Sequence, residues 1–368
     1  MTGRTAHPEA SADARFMGRA LELAARGAGQ VAPNPKVGAV VVRDGEIVGE
    51  GWHRAYGAPH AEVDALHAAG NLARGATLYV TLEPCAHQGK TPPCTDALIQ
   101  AGVARVVYAC PDPNPVAAGG AAVLRAAGIA VETGTGEAAA RTLNAAFLHA
   151  VRGHDRPFVT LKLALSLDGA ITDAAGGRRQ LTGNDAMAAV HAMRADADAV
   201  AVGSRTARID DPLLTVRLAP APRVAPMRVV FDRTVALPAA SRLVRTAREV
   251  PVVVVTDGRH PEREALLAAE GVQALHGPTL AEALRALRQR GVRHLLVEGG
   301  ATLASALVGE GLVHQVVIFQ APVVLGAGAR AAFADLPAAV AGALPAWRLL
   351  ERQAMGEDLM MRYALFGD

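Results

Sequence analysis

The chain has 368 residues, 51% of them apolar and 20% charged, with a formal net charge of +2. That length suggests two or three domains, each able to bury a core. The near-neutral charge gives no electrostatic case for a nucleic-acid or membrane-surface partner, and an aromatic content of 4% weighs against stacking platforms for single strands.

In chain order, residues 13 to 27 read as a helix, because Phe16, Met17, Ala20, Leu21, Leu23 and Ala24 recur at helical spacing before Gly27. A turn with two prolines follows. Val37 to Val42 and Ile47 to Gly51 read as two strands around Asp44-Gly45, a hairpin signal. His60 opens a helix to about Ala69, and Leu78 to Leu82 is a strand that ends at Glu83-Pro84-Cys85. Cys94 opens the next helix, to about Gly102. Arg105 to Ala109 is a strand, Val123 to Ala127 a helix, and Ala138 to Val151 one terminal helix.

The polar run Arg-Gly-His-Asp-Arg-Pro at 152–157 breaks this pattern and reads as a linker between domains at 1–151 and 158–368. A second series then begins. Strands are expected at 158–165, 199–203, 228–231, 252–256, 294–298 and 315–319, with helices at 183–194, 261–270, 280–290 and 301–309. Alternating strands and helices imply parallel sheets with helices on their faces, an α/β fold in both halves.

Chemistry concentrates at residues 60 to 94. His60, Cys85 and Cys94 are imidazole and thiolate donors of the kind zinc prefers, and three protein ligands leave a fourth position open for water, as catalytic zinc sites do. Such a water has a pKa near ~7. Glu62, two residues past His60, can shuttle protons without binding the metal. The pattern H-x-E followed by P-C-x-x-C belongs to zinc deaminases. Here eight residues separate the two cysteines, where that signature has two. A structural zinc knot would need a fourth protein ligand and no shuttle carboxylate. Both cysteine and histidine segments fall at helix starts, where the positive dipole end favours thiolates.

At this point the residues resemble a family. The strings Pro-Asn-Pro-Lys-Val-Gly (33–38), Gly-Trp-His (51–53), Tyr-Gly-Ala-Pro-His-Ala-Glu (56–62), Glu-Pro-Cys-Ala-His-Gln-Gly-Lys-Thr-Pro-Pro-Cys (83–94) and Asp-Pro-Asn-Pro (112–115) resemble the deaminase domain of the bifunctional riboflavin-biosynthesis deaminase–reductases. The C-terminal half resembles their reductase through Lys-Leu-Ala-Leu-Ser-Leu-Asp-Gly (162–169), Thr-Gly (182–183), Val-His-Ala-Met-Arg-Ala (190–195), Val-Gly-Ser-Arg-Thr (202–206), Asp-Asp-Pro-Leu-Leu-Thr-Val-Arg (210–217) and Glu-Gly-Gly (298–300). The resemblance implies a cytidine-deaminase-like α/β/α sandwich followed by a dihydrofolate-reductase-like α/β domain. It implies zinc-dependent deamination of a diamino-hydroxy-pyrimidine bearing a phosphoribosylamino group, then NADPH-dependent reduction of ribosyl to ribityl.

Carried over residue by residue, the resemblance makes His60, Cys85 and Cys94 the zinc ligands and Glu62 the shuttle. Asn34, His53, His87 and Lys90 would hold pyrimidine and phosphate. Lys162, Thr182, Arg194, Asp210 and Arg217 would bind substrate in the second half, with Arg194 and Arg217 on its phosphate. Gly203, Thr206, Glu298, Gly299 and Gly300 would form the cofactor cradle, since Gly299-Gly300 precede a helix whose N-terminus favours an anion. Leu181, Met187 and the turn at 115–120 depart from the family pattern.

Several of these residues also have plainer readings. His53 alone could be a satisfied core histidine, Lys90 a solvated charge, and Asp210-Asp211 a turn initiator before Pro212. Lys162 is less ordinary, flanked by Leu161 and Leu163 in an apolar strand that aims its ammonium into a pocket. Cys110 ends a strand and reads as buried and inert. Three cysteines, an odd and sparse set, read as a reducing cytoplasm. No apolar run reaches the ~18 residues of a spanning helix, and the N-terminus has no apolar signal core. The partner expected is a small phosphorylated pyrimidine, with no nucleic acid and no membrane; a homo-oligomer is compatible with the sequence. The alternative is a zinc nucleoside or tRNA deaminase with an unrelated C-terminal domain.

Overall fold

The computed structural model describes residues 8–89, 92–176, 180–333, 335–336 and 347–365. It divides into two compact units, Met1–Gly153 and His154–Asp368.

The first unit runs α1 (Pro8–Ala25), β1 (Gly38–Arg43), β2 (Glu46–Trp52), α2 (Ala61–Ala69), a 3-10 turn (Gly70–Ala73), β3 (Thr77–Leu82), α3 (Cys94–Ala101), β4 (Arg105–Cys110), α4 (Gly120–Ala126), β5 (Ala130–Thr133), α5 (Glu137–Leu143) and α6 (Ala145–Val151). The five strands lie in the order β2-β1-β3-β4-β5. β1 is antiparallel to β2 and β3, while β3, β4 and β5 are parallel. The hairpin turn is Asp44-Gly45, whose φ of 52° and 81° are both positive, as a two-residue primed turn requires.

Strand alternation sorts the core into two layers. Ala39, Val41, Leu78, Val80 and Val106 pack under α2, α3 and α4. Val40, Val42, Tyr79 and Val107 pack under α1. The single helix expected at 138–151 is two helices, broken at Asn144. That buried side chain accepts a hydrogen bond from the Lys36 backbone N–H and donates one to the Lys36 carbonyl, both at 2.8 Å. An asparagine whose amide is spent on a distant backbone segment serves tertiary structure at the expense of helix continuity.

The second unit runs β6 (Phe158–Leu165), β7 (Ala170–Thr172), α7 (Asn184–Ala195), β8 (Ala199–Gly203), α8 (Ser204–Asp210), β9 (Met227–Phe231), α9 (Arg242–Arg245), β10 (Val252–Thr256), α10 (Pro261–Ala269), β11 (Gln273–His276), α11 (Leu280–Gln289), β12 (His294–Val297), α12 (Ala301–Gly309), β13 (Gln315–Gln320), β14 (Arg330–Ala331), β15 (Trp347–Met355) and β16 (Asp358–Leu365). Nine strands form one sheet in the order β11-β10-β9-β8-β12-β6-β13-β16-β15, and β7 pairs with β14 apart from it. Strands β11 through β13 are parallel, and β16 and β15 close that edge as an antiparallel hairpin. Leu284 and Leu287 of α11 and Leu303 and Leu307 of α12 cover one face; Leu243 of α9 and Leu267 of α10 cover the other. The hairpin has no counterpart among the strands expected from sequence, because neither of its strands contains a Val, Ile or Thr.

Helix α2, which carries Glu62, sits unusually close to β2. A Cβ added at Gly51 would lie 2.3 Å from the Ala65 nitrogen and 2.4 Å from the Ala61 carbonyl, and one at Gly49 would lie 2.3 Å from the Ala65 carbonyl. Only glycine fits opposite that helix backbone. Gly51→Ala is therefore expected to destabilise the first unit by roughly 1–3 kcal/mol, the usual cost of overpacking. A thermal unfolding midpoint unchanged by this substitution would show that α2 can lift off the hairpin without strain.

Candidate functional site

In the first unit, His60 is the N-cap of α2 and leaves the helix end uncapped by its side chain. Its Nδ1 instead turns to Cys94 Sγ at 3.2 Å and Cys85 Sγ at 3.5 Å. Cys94 is the first residue of α3, and its backbone N–H points at Cys85 Sγ at 3.4 Å. The three ligand atoms all lie within 4.8 Å of one another. Hydrogen bonding from Cys94 and His60 pulls the Cys85 thiol down to about 4, against its burial. The thiolate so formed, with burial, holds the Cys94 thiol above its ordinary value. Two thiols this close ionise together only when a cation lies between them, so the donor set suits a divalent zinc ion. Glu62 lies beside them, only 3% exposed, and burial raises its carboxyl against the pull of His60.

A cavity of about 270 Å³ opens onto this cluster, lined among others by Asn34, His53, Glu62 and His87. His53 Nδ1 lies 3.0 Å from the Pro59 carbonyl and its Nε2 lies 3.1 Å from Asn34 Nδ2. The carbonyl can only accept, so Nδ1 carries the proton and Nε2 accepts from the Asn34 amide. Burial pushes the His53 pKa below its ordinary value, which keeps that ring neutral. His87 Nδ1 is buried with no hydrogen-bond partner among the described residues. Lys90 lies outside the described residues. The cavity also takes in Tyr56, Asp112, Asn114 and Phe147. Phe147 carried no sequence signal, because an aromatic on an apolar helix face looks like core.

In the second unit a cavity of about 1000 Å³ brings together Lys162, Arg194, Gly203, Thr206, Asp210, Glu298, Gly299 and Gly300. Thr182 and Arg217 are not among its lining residues. Thr182 is buried, and the following Gly183 N–H donates to Asp358 Oδ2 of the C-terminal hairpin at 2.7 Å. Arg217 is exposed, its backbone N–H donating to His191 Nδ1 at 2.9 Å. Arg194, expected on a phosphate, is forked onto Glu298 instead: Nε donates to Oε1 at 2.5 Å and Nη2 to Oε2 at 2.8 Å. Its Nη1 donates to the Thr215 carbonyl at 3.0 Å. Burial alone would raise the Glu298 carboxyl, but Arg194 and Lys162 outweigh it and hold it below the ordinary 4.5. Burial lowers the Lys162 ammonium, opposed by Glu298 and assisted by Arg194.

Glycines Gly203 and Gly300 are the N-caps of α8 and α12, with no side-chain cap at either. Both helix starts face the same cavity, which suits a dinucleotide's pyrophosphate. Arg205, Arg233 and Arg330 also line it. Sequence reading passed over them, since isolated arginines look like solvated charges.

A model of the cytidine and deoxycytidylate deaminase zinc-binding region matches residues 10–110, and one of the RibD C-terminal domain matches residues 157–361. Riboflavin biosynthesis protein RibD of Aquifex aeolicus is 43% identical over 319 residues, 86% of this chain and 88% of its own. RibD of Escherichia coli is 43% identical over 342 residues, 86% and 90% of the two chains. The structure of Acinetobacter baumannii RibD is similar with a TM-score of 0.79 and 40% identity, covering 97% of this chain and 99% of that one. A diaminohydroxyphosphoribosylaminopyrimidine deaminase/5-amino-6-(5-phosphoribosylamino)uracil reductase from Thermotoga maritima is similar with a TM-score of 0.81 and 35% identity, covering 97% and 100%. The match at 157–361 removes the alternative of an unrelated C-terminal domain.

The Arg194–Glu298 pair makes a stability prediction. Arg194→Met strands a buried carboxylate and should cost roughly 3–5 kcal/mol near neutral pH. The signs oppose each other. In the wild type the depressed Glu298 carboxyl contributes stability that is present above the unfolded carboxylate pKa and fades as pH falls through the folded one. In the variant, burial is opposed only by the weaker pull of Lys162 and His191, the carboxyl is raised, and the deficit shrinks on acidification. Unfolding of both proteins from pH 4 to 8 checks this; a deficit that grows toward low pH contradicts it.

Proposed function

The chain belongs to the RibD family, the bifunctional deaminase–reductases of riboflavin biosynthesis, and from that premise we propose how its residues divide the two reactions. The first unit deaminates 2,5-diamino-6-(5-phosphoribosylamino)pyrimidin-4(3H)-one, and the second reduces the product's ribosyl group with NADPH. The observation that carries the reading is the open three-donor cluster with a buried carboxylate beside it.

His60, Cys85 and Cys94 would hold zinc, and Glu62 stays off the metal. Bound zinc supplies a water acidic enough to provide hydroxide near neutral pH. Glu62, its carboxyl raised by burial, takes up the proton that the attacking water loses. It delivers that proton to the ring nitrogen next to the amine-bearing carbon, then takes the proton left on the added hydroxyl and passes it to the leaving amine nitrogen, so that ammonia departs. The Asn34 amide, oriented by His53, presents its carbonyl oxygen to a substrate N–H. His87 and Lys90 would serve the sugar-phosphate side. The cavity's small volume suits one heterocycle and its nearest substituents.

In the second unit, Gly203, Thr206, Gly299 and Gly300 would cradle NADPH, which supplies the hydride for C1′ of the sugar. Reduction at that carbon needs the ring-opened imine or aldehyde, and the ring oxygen must gain a proton as it leaves. Lys162 and Asp210 are titratable groups at the cavity wall that can hold that proton. Glu298 and Arg194 fix the charge around Lys162. Arg217 is the proposed phosphate ligand that remains, since Arg194 is committed to Glu298. Free thiols at Cys85, Cys94 and Cys110 support a reducing, cytoplasmic location.

Three outcomes follow. Glu62→Gln should retain zinc and lose about 10²–10⁴ in deamination rate, measured as ammonia release. Near-normal deamination by a zinc-loaded variant would place the shuttle elsewhere. Chelation of the metal should abolish deamination while NADPH consumption on the deaminated pyrimidine phosphate continues. Asp210→Asn should lower that consumption without touching zinc content or deamination, and unchanged turnover would remove Asp210 from the chemistry.

A further inference from the structure

Beneath the larger cavity lies a cation that the two reactions leave unexplained. Arg228 of β9 is fully buried, 0% exposed. Its four hydrogen bonds end on uncharged oxygens: Nη1 on the Leu213 carbonyl at 3.3 Å and Thr246 Oγ1 at 2.7 Å, Nη2 on the carbonyls of Thr246 at 2.8 Å and Val250 at 2.5 Å. Its Nε is buried with no partner among the described residues. Glu249 acts on it only through space, and removing a guanidinium from water without a hydrogen-bonded carboxylate is costly, so an apolar side chain would fill the volume more cheaply.

What this cation grips is informative. Leu213 is flanked by Pro212 and Leu214, both in the cavity wall, and Asp210 lies just upstream. The segment is strained: Asp211 has φ 38° and Leu214 φ 53°, left-handed values at non-glycine residues. Such a backbone persists only where its surroundings hold it. Three other anchors do so further along: Asp211 Oδ1 accepts the Arg242 N–H at 2.7 Å, Arg194 Nη1 holds the Thr215 carbonyl, and His191 Nδ1 accepts the Arg217 N–H. Arg228 supplies the anchor between them.

We propose that Arg228 is a positioning residue of the reductase: by clamping the Leu213 carbonyl from below, it holds the 210–217 segment in the conformation that meets the pyrimidine substrate. This rests on the reductase reading of the cavity. The cofactor side is built on Gly203, at the opposite end of α8 from Asp210, and on Gly300 of α12, so the clamp at Leu213 acts chiefly on the substrate side. Arg228 touches neither.

The test uses the full chain, with deamination measured on the same preparation as an internal reference. Arg228→Met, Arg228→Lys and Thr246→Val are compared by NADPH absorbance with the deaminated pyrimidine phosphate, normalised to the stoichiometry of NADPH binding. Arg228→Met should lower kcat/KM about 10²-fold, chiefly through a higher KM for the pyrimidine, as expected when a segment shifts by about an ångström. NADPH affinity and deamination should stay within about twofold, and Arg228→Lys should recover part of the loss. Unchanged kcat/KM in Arg228→Met overturns the proposal, as does a parallel loss of NADPH affinity, the mark of general unfolding. If Arg228→Met does not fold, Thr246→Val decides: it removes one acceptor and leaves the cation, so a raised pyrimidine KM supports the clamp and an unchanged one overturns it. A wild-type chain that never consumes NADPH would remove the reductase reading itself, a result distinct from the others.

Discussion

An ionisable group taken out of water must find an opposite charge, find hydrogen bonds, or change its protonation state. Both units are built on that constraint, each at the carboxyl ends of parallel strands. In the first unit the requirement is left open. Cys85 follows β3, Cys94 opens α3, and two thiols and an imidazole converge, with the Cys85 thiol drawn down and the Cys94 thiol held up by its neighbour. The geometry is complete and the charge is not, which is what a site for a dication needs. In the second unit the requirement is closed within the chain. Glu298, at the end of β12, is matched by the Arg194 fork, and the remaining cation, Lys162, is pushed toward neutrality. An ammonium held that way gives up its proton more readily than a fully solvated lysine near neutral pH.

The precision of the first site comes from small residues as much as from ligands. Gly49 and Gly51 let α2 rest directly on the hairpin. A Cβ at Gly120 would fall 1.8 Å from the Pro84 carbonyl, so α4 starts against the segment that carries Cys85. Glu83 Oε1 accepts the N–H groups of Gly119 and Ala121 at 3.2 and 3.1 Å, tying the same segment to α4 from its other side. Asn144 fixes Lys36 by both backbone groups, next to the Asn34 and Pro35 wall of the cavity. Each contact removes freedom from a residue one or two positions away from a reacting group, and rigid support of this kind is what catalytic geometry requires.

In the second unit the position of the cavity follows from strand order. β12 enters the sheet between β8 and β6, although it follows both in sequence. Loops after β8 and β12 therefore part in opposite directions, and the crevice between them is where open parallel sheets bind ligands. The helix starts at Gly203 and Gly300 flank that crevice. The C-terminal hairpin adds Asp358, whose carboxylate receives the Gly183 N–H at the start of α7.

The local pattern of the chain by itself determined most of the elements and pointed to the His60, Cys85 and Cys94 cluster that the fold brings together. The continuous β-branched run Val40 to Val42 reflects a strand buried on both faces, and the 3.6 period of Phe16 to Ala24 reflects a helix buried on one, patterns each segment carries alone. The His60, Cys85 and Cys94 cluster was legible because imidazole and thiol donors are rare and chemically distinct, and Glu62 by its place two residues past His60. The short β5, β7 and β11 strands, the C-terminal hairpin and the break at Asn144 were not, because each exists through partners far away in sequence. The pairing of Arg194 with Glu298 belongs to the same class. By residue type a guanidinium suits a phosphate, and only the fold, by bringing residues 104 apart into one buried place, gave that charge to a carboxylate instead. Arg228 carried no signal at all, since an arginine's burial is decided by what packs over it. Side-chain chemistry is written in the sequence; whether a charge meets water, an anion or another residue is decided only when the chain has folded.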